Sequence, residues 1–356
     1  MFDKKALRPI YTMGMRNGGG GGGGGGMGGG GGGGGMGGGA CYIYDANQQP
    51  NPNLVTPDVV FNRGIDMNIP LTMDDGRTIN MWGFTDGGGG GMGGGMGGAT
   101  FPSPAMRVRE GQIVHTVLSV NMMMAHTIHH HGIEPNYLDD GVGHLSYDIS
   151  GTSFTYQWRP MFAGTYFYHC HVNTVLHAEM GMYGALIVDP PEGPGRLYSG
   201  GPTYDAEAFW VVDEIDSRWH TLPWDAGTCG GDVGLNNLNP DYFVITGVDG
   251  SGNSAMNAPG ISATITLGQK LLARYVCAGY HPQRIRFGGL TGTVHMSDGR
   301  ALPNPVQVTE LRAHSAERYD IIFQPTSRGN YIIETDIIHW VSGNVLGTTR
   351  TRISVI

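Results

Sequence analysis

Twelve short stretches rich in β-branched and aromatic residues run from Thr78 to Ile356, among them TINMWGF, GTYFYHCHV, AFWVVDEI and GNYIIETDII. Glycine, proline, asparagine and aspartate separate them, and almost no helical apolar period is present, so the pattern calls for strands. An all-β chain of sandwich or barrel type is expected. Repetition sharpens this reading. PMFAGTYFYHCH (160–171) lies without a gap on PTSRGNYIIETD (325–336), proline on proline and glycine on glycine, as two copies of one unit would. A chain of 356 residues has room for two cores of ordinary size. The expected division is an N-terminal segment 1–39, a first unit 40–190, a linker 191–204 drawn from the proline- and glycine-rich stretch DPPEGPGRLYSGGP, and a second unit 205–356.

Composition removes several classes of function. A net charge of −9 with no basic cluster argues against nucleic acid and anionic membrane surfaces as partners. No run of about 18 apolar residues exists to form a transmembrane segment, and the start, MFDKKALRPIYTMG, lacks the apolar middle of a secretory signal. Four cysteines (Cys41, Cys170, Cys229, Cys277) are too few for a disulfide scaffold, although a bridge between Cys229 and Cys277 stays open. Two runs, 18–39 and 87–98, are glycine throughout except for Met27, Met36, Met92 and Met96. Such segments bury too little apolar surface to offset their conformational entropy and read as surface loops. Their spaced thioethers are also soft ligands of the kind that suits Cu(I).

HTIHHHG (126–132) places four histidines in six positions. On a strand, side chains alternate between faces, so His129 and His131 share one face and His126 takes the other. The same parity in HCH pairs His169 with His171 and turns Cys170 away. With the two strands side by side, four imidazoles converge on one face and His126 meets Cys170 on the other. The following loop adds His177 and Met182. Two imidazoles, a thiolate and a weak axial thioether are the ligand set of a blue-copper electron-transfer centre. Zinc sites want four ligands at one centre, which this division between two faces does not offer. His115, His130 and His144 have no such partners and read as solvent-facing or structural.

Over most of residues 55–356 these motifs resemble the two-domain multicopper oxidases, relatives of laccases and copper nitrite reductases. FPSPAMRVREGQIV (101–114) resembles the family's PGP-strand-GD segment, HTIHHHG its HxxHxHG, LDDGVG (138–143) its DG turn, and YHCHVNTVLHAEMGMYGALIV its copper-binding C-terminal segment. The resemblance implies two cupredoxin-like Greek-key β-sandwich domains in tandem. It implies type 1 copper on His126, Cys170, His177 and Met182, and half of a trinuclear cluster on His129, His131, His169 and His171. Asp140 stands where the family often keeps an acid near that cluster, a candidate proton donor. The interval from Cys170 to His177 is longer than in typical laccases. The resemblance further implies a periplasmic or extracellular location, a redox donor as partner, and a homo-oligomer, a trimeric ring in which the second domain of a neighbour completes the cluster.

That second half departs from the family. YHPQRIRFGG (280–289) lies where HPxHxHG belongs, with Arg284 and Arg286 at the cluster-facing positions, and Glu334, Thr335 and Asp336 align with His169, Cys170 and His171. Two cations and two anions at matching parity suggest arginine–carboxylate pairs in place of metal. His281, left over from a second type 1 position, lacks its cysteine. Two classes of function follow: a copper oxidoreductase that passes electrons to dioxygen or a small anion, and a non-catalytic cupredoxin that carries electrons or binds copper. A nitrite reductase-like enzyme is a sub-option that fits less well, since that family has an aspartate where His129 stands and no histidine after the cysteine.

Overall fold

A computed structural model describes residues 54–87, 100–143, 146–227 and 234–356. Met27, Met36, Met92, Met96, Cys41, Cys229 and His144 lie outside the described residues, and with them the expectations attached to the glycine- and methionine-rich runs. Strands dominate, as their composition requires. In β1 (Val59–Thr72), β2 (Thr78–Asp86), β3 (Ser103–Arg109), β4 (Val114–Val120), β5 (His129–His131), β6 (Thr152–Trp158), β7 (Gly164–His169) and β8 (Tyr183–Asp189) the chain builds two four-stranded sheets. Their orders are β2-β1-β4-β6 and β3-β8-β7-β5. Parallel pairing of β1 on β4 and of β3 on β8 marks crossovers rather than hairpins. Alternation puts Met106, Val108, Leu118, Phe154, Tyr156, Tyr166, Tyr168 and Leu186 between the sheets.

The second half repeats this plan with β9 (Ala206–Ile215), β10 (Tyr242–Ile245), β11 (Val248–Asp249), β12 (Ala263–Ile265), β13 (Leu271–Cys277), β14 (Gln283–Arg286), β15 (Gly292–Ser297), β16 (Arg300–Val308), β17 (Glu310–Ala313), β18 (Arg318–Phe323), β19 (Gly329–Ile338) and β20 (Val345–Val355). Its sheets run β11-β10-β9-β13-β18-β15-β16 and β12-β20-β19-β14-β17. Here β9 pairs parallel with β13 and β12 with β20, echoing the first half.

What joins the sandwiches is legible in two strands buried on both faces. Tyr166 and Tyr168 of β7 enter the first core, while Phe167 packs with Val211 and Val276 of the second half. In β13, Ala273, Tyr275 and Cys277 enter the second core and Leu272, Arg274 and Val276 face the first sandwich or the segment that links the two. Thr165 of β7 donates to Asp320 of β18, and the fully buried Arg274 reaches Thr165, Asp320 and Glu207. The segment between the sandwiches is itself packed: Leu197 is buried against Leu272, Met296 and Ile322.

Candidate metal centre

β5 is only three residues long, and its antiparallel register on β7 sets His129 opposite His169 and His131 opposite Phe167. One residue beyond β7, Cys170 pairs its N–H with the carbonyl of Met182, and the N–H of Met182 bonds the carbonyl of His177. The long interval after Cys170 is taken up by a six-residue helix, α1 (Thr174–Glu179), which carries His177. His126 is held by a two-way backbone bridge to Ile149. These local restraints bring two groups of side chains together on opposite sides of one strand end.

The first group is fully buried. Cys170 Sγ lies 3.7 Å from His126 Nδ1 and 3.4 Å from His177 Nδ1, and the two imidazoles are 4.9 Å apart between ring centres. Met182 is also fully buried and is tied to the backbone of both Cys170 and His177. Burial pushes the Cys170 thiol up to about 12, against hydrogen bonding from Thr127 and Val172 that acts the other way. Burial also holds His177 down at about 4 and His126 well below its ordinary range. His177 Nε2 donates to the carbonyl of Trp224 at 2.8 Å. That bond places the ring proton on Nε2 and leaves the Nδ1 lone pair facing the sulfur. Neutral imidazoles and a thiol that lacks only a neighbouring positive charge fit a soft, thiophilic cation, whose own charge would stabilise the thiolate.

On the opposite side, ligand atoms of His129, His131 and His169 all lie within 4.8 Å of one another. The His171 ring centre is 5.5 Å from that of His129 and 5.7 Å from that of His169. His169 Nδ1 donates to the carbonyl of Cys170 at 2.8 Å and His129 Nδ1 to the carbonyl of Asp140 at 2.7 Å, so both present Nε2 lone pairs. His131 stacks on Phe167 and is held at about 3, by burial first and then by the Arg318 guanidinium. Unlike the first group, this one is partly open to solvent at His129, His131 and His171.

Two glycines make this rim possible. Gly141 has φ +68, and a Cβ there would sit 1.9 Å from the carbonyl oxygen of Ile128. The aspartate–glycine turn therefore lies flat on the strand, with the Asp140 carbonyl on His129. Gly132 has φ +87, and its Cβ would meet Arg318 Nη2 at 2.4 Å. The Asp140 carboxylate is partly exposed, 3.4 Å from His129 Nδ1.

The remaining residues fall elsewhere. His130 points inward, buried, with Nε2 2.9 Å from Thr116 Oγ1 and its ring 4.6 Å from Trp158, and His115 is also buried. Both are structural rather than solvent-facing. His281 donates Nδ1 to the fully buried Glu214 at 2.9 Å. Cys277 is a free, buried thiol. Arg284 sits opposite Asp336 and Arg286 opposite Glu334 in the β14–β19 register. Arg284 binds Asp336 at 2.7 Å, Arg286 binds both carboxylates, and Thr348 and Arg350 close the network. Trp224, Asn173, Thr127 and Arg318 also surround the two groups. Each reaches the histidines through a backbone carbonyl or through contacts made only across the fold, and no spacing rule announces them.

Residues 96–193 match the family model described as multicopper oxidase. Copper resistance protein A of Pseudomonas syringae pv. tomato is 29% identical over 289 residues, covering 70% of this chain and 45% of that protein. L-ascorbate oxidase of Cucumis sativus is 36% identical over 128 residues, covering 34% of this chain and 20% of that protein. Among solved structures, the blue copper oxidase from Nitrosomonas europaea superposes with a TM-score of 0.67 at 25% identity, over 83% of this chain and 86% of that one. The chain spans about half the length, or less, of the curated relatives it matches.

Proposed function

We propose that this chain, which carries a multicopper oxidase domain over residues 96–193, is a copper-dependent oxidoreductase. On this reading His126, Cys170, His177 and Met182 hold type 1 copper, and His129, His131, His169 and His171 hold the copper at which an oxidant is reduced. Copper in the two sets would supply one-electron chemistry on one side and binding of dioxygen or a small anion on the other. The chain's own part is to keep the two sets apart in environment and joined in covalent structure. The observation that carries the reading is that Cys170, fully buried between two imidazoles, is bonded through its own peptide groups to His169 and His171 of the more open set.

Exclusion of water around Cys170 protects the thiolate that a metal would stabilise, while the rim at His129, His131 and His171 leaves a path for a small oxidant. On this reading Asp140, partly exposed and 3.4 Å from His129 Nδ1, hands protons to that rim. A redox donor, small molecule or protein, and a periplasmic or extracellular location belong to the same reading and rest on the family likeness. Among the described residues no helix is long and apolar enough to cross a membrane.

Metal analysis per chain with electron paramagnetic resonance tests the proposal. The oxidised protein is expected to be blue or green from thiolate-to-Cu(II) charge transfer. Cys170→Ser should lose the band and keep the copper of the four-histidine set. A Cys170→Ser protein that retains its colour would sink the assignment.

A second reading, a non-catalytic cupredoxin that carries electrons or binds copper, is favoured by one feature. The second sandwich holds a closed arginine–carboxylate network at Arg284, Arg286, Glu334 and Asp336, where the family likeness leads one to expect the other half of a cluster. Reversible redox cycling without turnover of phenols, dyes or nitrite would select it. Substantial oxygen consumption or nitrite reduction would remove it. A nitrite reductase-like activity is the least favoured outcome, because a histidine and not an aspartate stands at position 129.

A further inference from the structure

Between β9 and β10 the second half of the chain leaves its own core and crosses onto the first sandwich. Trp219 and Ala226 are buried in the first core, with Leu222, Trp224, Leu235 and Leu238 packed against it. This strap passes directly over α1. The carbonyl of Trp224 accepts the Nε2 proton of His177 at 2.8 Å, and it also lies 3.2 Å from Asn173 Nδ2. The same Asn173 amide donates to the carbonyl of Ala226 at 2.9 Å.

Asn173 has an unusual backbone for a residue with a side chain. It precedes α1 with φ 44 and ψ 53, in the left-handed region, and its side chain makes no capping bond to the helix it opens. Asparagine tolerates that conformation better than most residues, but a residue used only to turn the chain would not need an amide directed at two carbonyls of another segment.

We propose that Asn173 is a positioning residue for the thiol–imidazole centre. It clamps the strap Trp219–Ala226 over α1, so that the Trp224 carbonyl keeps the proton on His177 Nε2 and the lone pair of Nδ1 on Cys170. A segment from the second half of the chain, packed on the first core, thereby sets the tautomer of a ligand that belongs to the first half. The inference rests on the copper reading given above. A carbonyl that must hold an imidazole proton in a buried site loses its aim when the strap that carries it shifts, because hydrogen bonds weaken steeply away from linear geometry. Partners of this kind typically change metal affinity about 10- to 100-fold when removed.

Two variants separate the amide from the backbone. Asn173→Gly keeps the left-handed turn at no steric cost and removes the clamp. Asn173→Asp keeps the shape and replaces two N–H donors with a carboxylate facing two carbonyls. Copper affinity is measured by competition with a chelator, the centre by its visible band and paramagnetic spectrum, and folding by thermal melting. Both variants are expected to bind copper in the thiol–imidazole set about 10- to 100-fold more weakly and to shift its band, with the copper of the four-histidine set unchanged. Wild-type affinity and spectrum in both variants, or a lowered melting temperature with an unshifted band, would overturn the inference. A wild-type protein with no thiolate–copper band would overturn the copper reading itself, and the inference with it.

Discussion

Cys170 is kept as a neutral thiol by its own surroundings, and His126, His131, His169 and His177 are kept as neutral imidazoles by theirs. Desolvation first, with neighbouring positive groups such as Arg318 beside His131, therefore prepares the nitrogens for a metal and leaves the sulfur waiting for one. The histidines have a consequence for the metal-free protein. Their folded values lie below the ordinary 6.5, with His177 at about 4 and His131 at about 3. The unfolded chain then binds more protons than the folded one below about pH 6.5. Their contribution is complete above that pH and is lost as the pH falls toward 4 and then 3. The melting temperature of the metal-free protein should drop across this window, and His177→Gln should flatten the drop. An unchanged slope in the variant would show that His177 titrates with an ordinary value.

Among the elements, β5 and the turn that overlies it decide whether the four-histidine rim exists. Three residues of strand cannot hold His129 and His131 in place without help, and the help at His129 is Gly141 lying on Ile128. Gly141→Ala meets both the positive φ and the carbonyl oxygen, at a cost of about 1–3 kcal/mol for the backbone alone. Copper should be lost from the four-histidine set while the band of the thiol–imidazole set survives. Full copper content in this variant would mean that His129 needs no support from Asp140. The strands that the sequence pattern leaves unannounced follow from their pairing. β1 carries Pro70 in a stretch that pairs with β2 alone, beyond its contact with β4, and β16, with Pro303 and Pro305, is an edge strand. Proline is tolerated where no ladder partner needs its missing N–H.

The whole molecule is held by a polar seam as well as an apolar one. Arg274 is fully buried and satisfied by Thr165 of the first sandwich and by Asp320 and Glu207 of the second. Arg274→Ala would strand Asp320 in the interior and should cost about 3–5 kcal/mol in denaturant unfolding. A loss below about 1 kcal/mol, the scale of an exposed ion pair, would show that water repairs the seam. Beyond one chain, the rim at His129, His131 and His171 is partly open, and the Arg284–Asp336 and Arg286–Glu334 network is a charged, partly exposed face of the second sandwich. We expect these two complementary faces to meet between copies in a closed ring of three. Light scattering at micromolar concentration should give about three times the chain mass of 38.0 kDa, and Glu334→Lys, at the partly exposed carboxylate of that face, should dissociate the assembly. A wild-type monomer at that concentration would count against this arrangement.

Alternation along a strand is a local, covalent property, and so the sequence alone determined the all-β class and the division of the histidines into His126 with Cys170 and His129, His131, His169 and His171 together. The matching parity of Arg284, Arg286, Glu334 and Asp336 was open to the same argument. Tertiary structure decided what lies around those side chains. The Trp224 carbonyl above His177, the Asn173 clamp, the Arg318 guanidinium beside Gly132 and the two-sided burial of β7 all join residues tens to hundreds of positions apart. A backbone carbonyl carries no residue identity, and any amino acid at position 224 would present one. Which carbonyl meets which imidazole is fixed by how two sandwiches dock, and docking depends on packed surfaces that no spacing within one strand encodes.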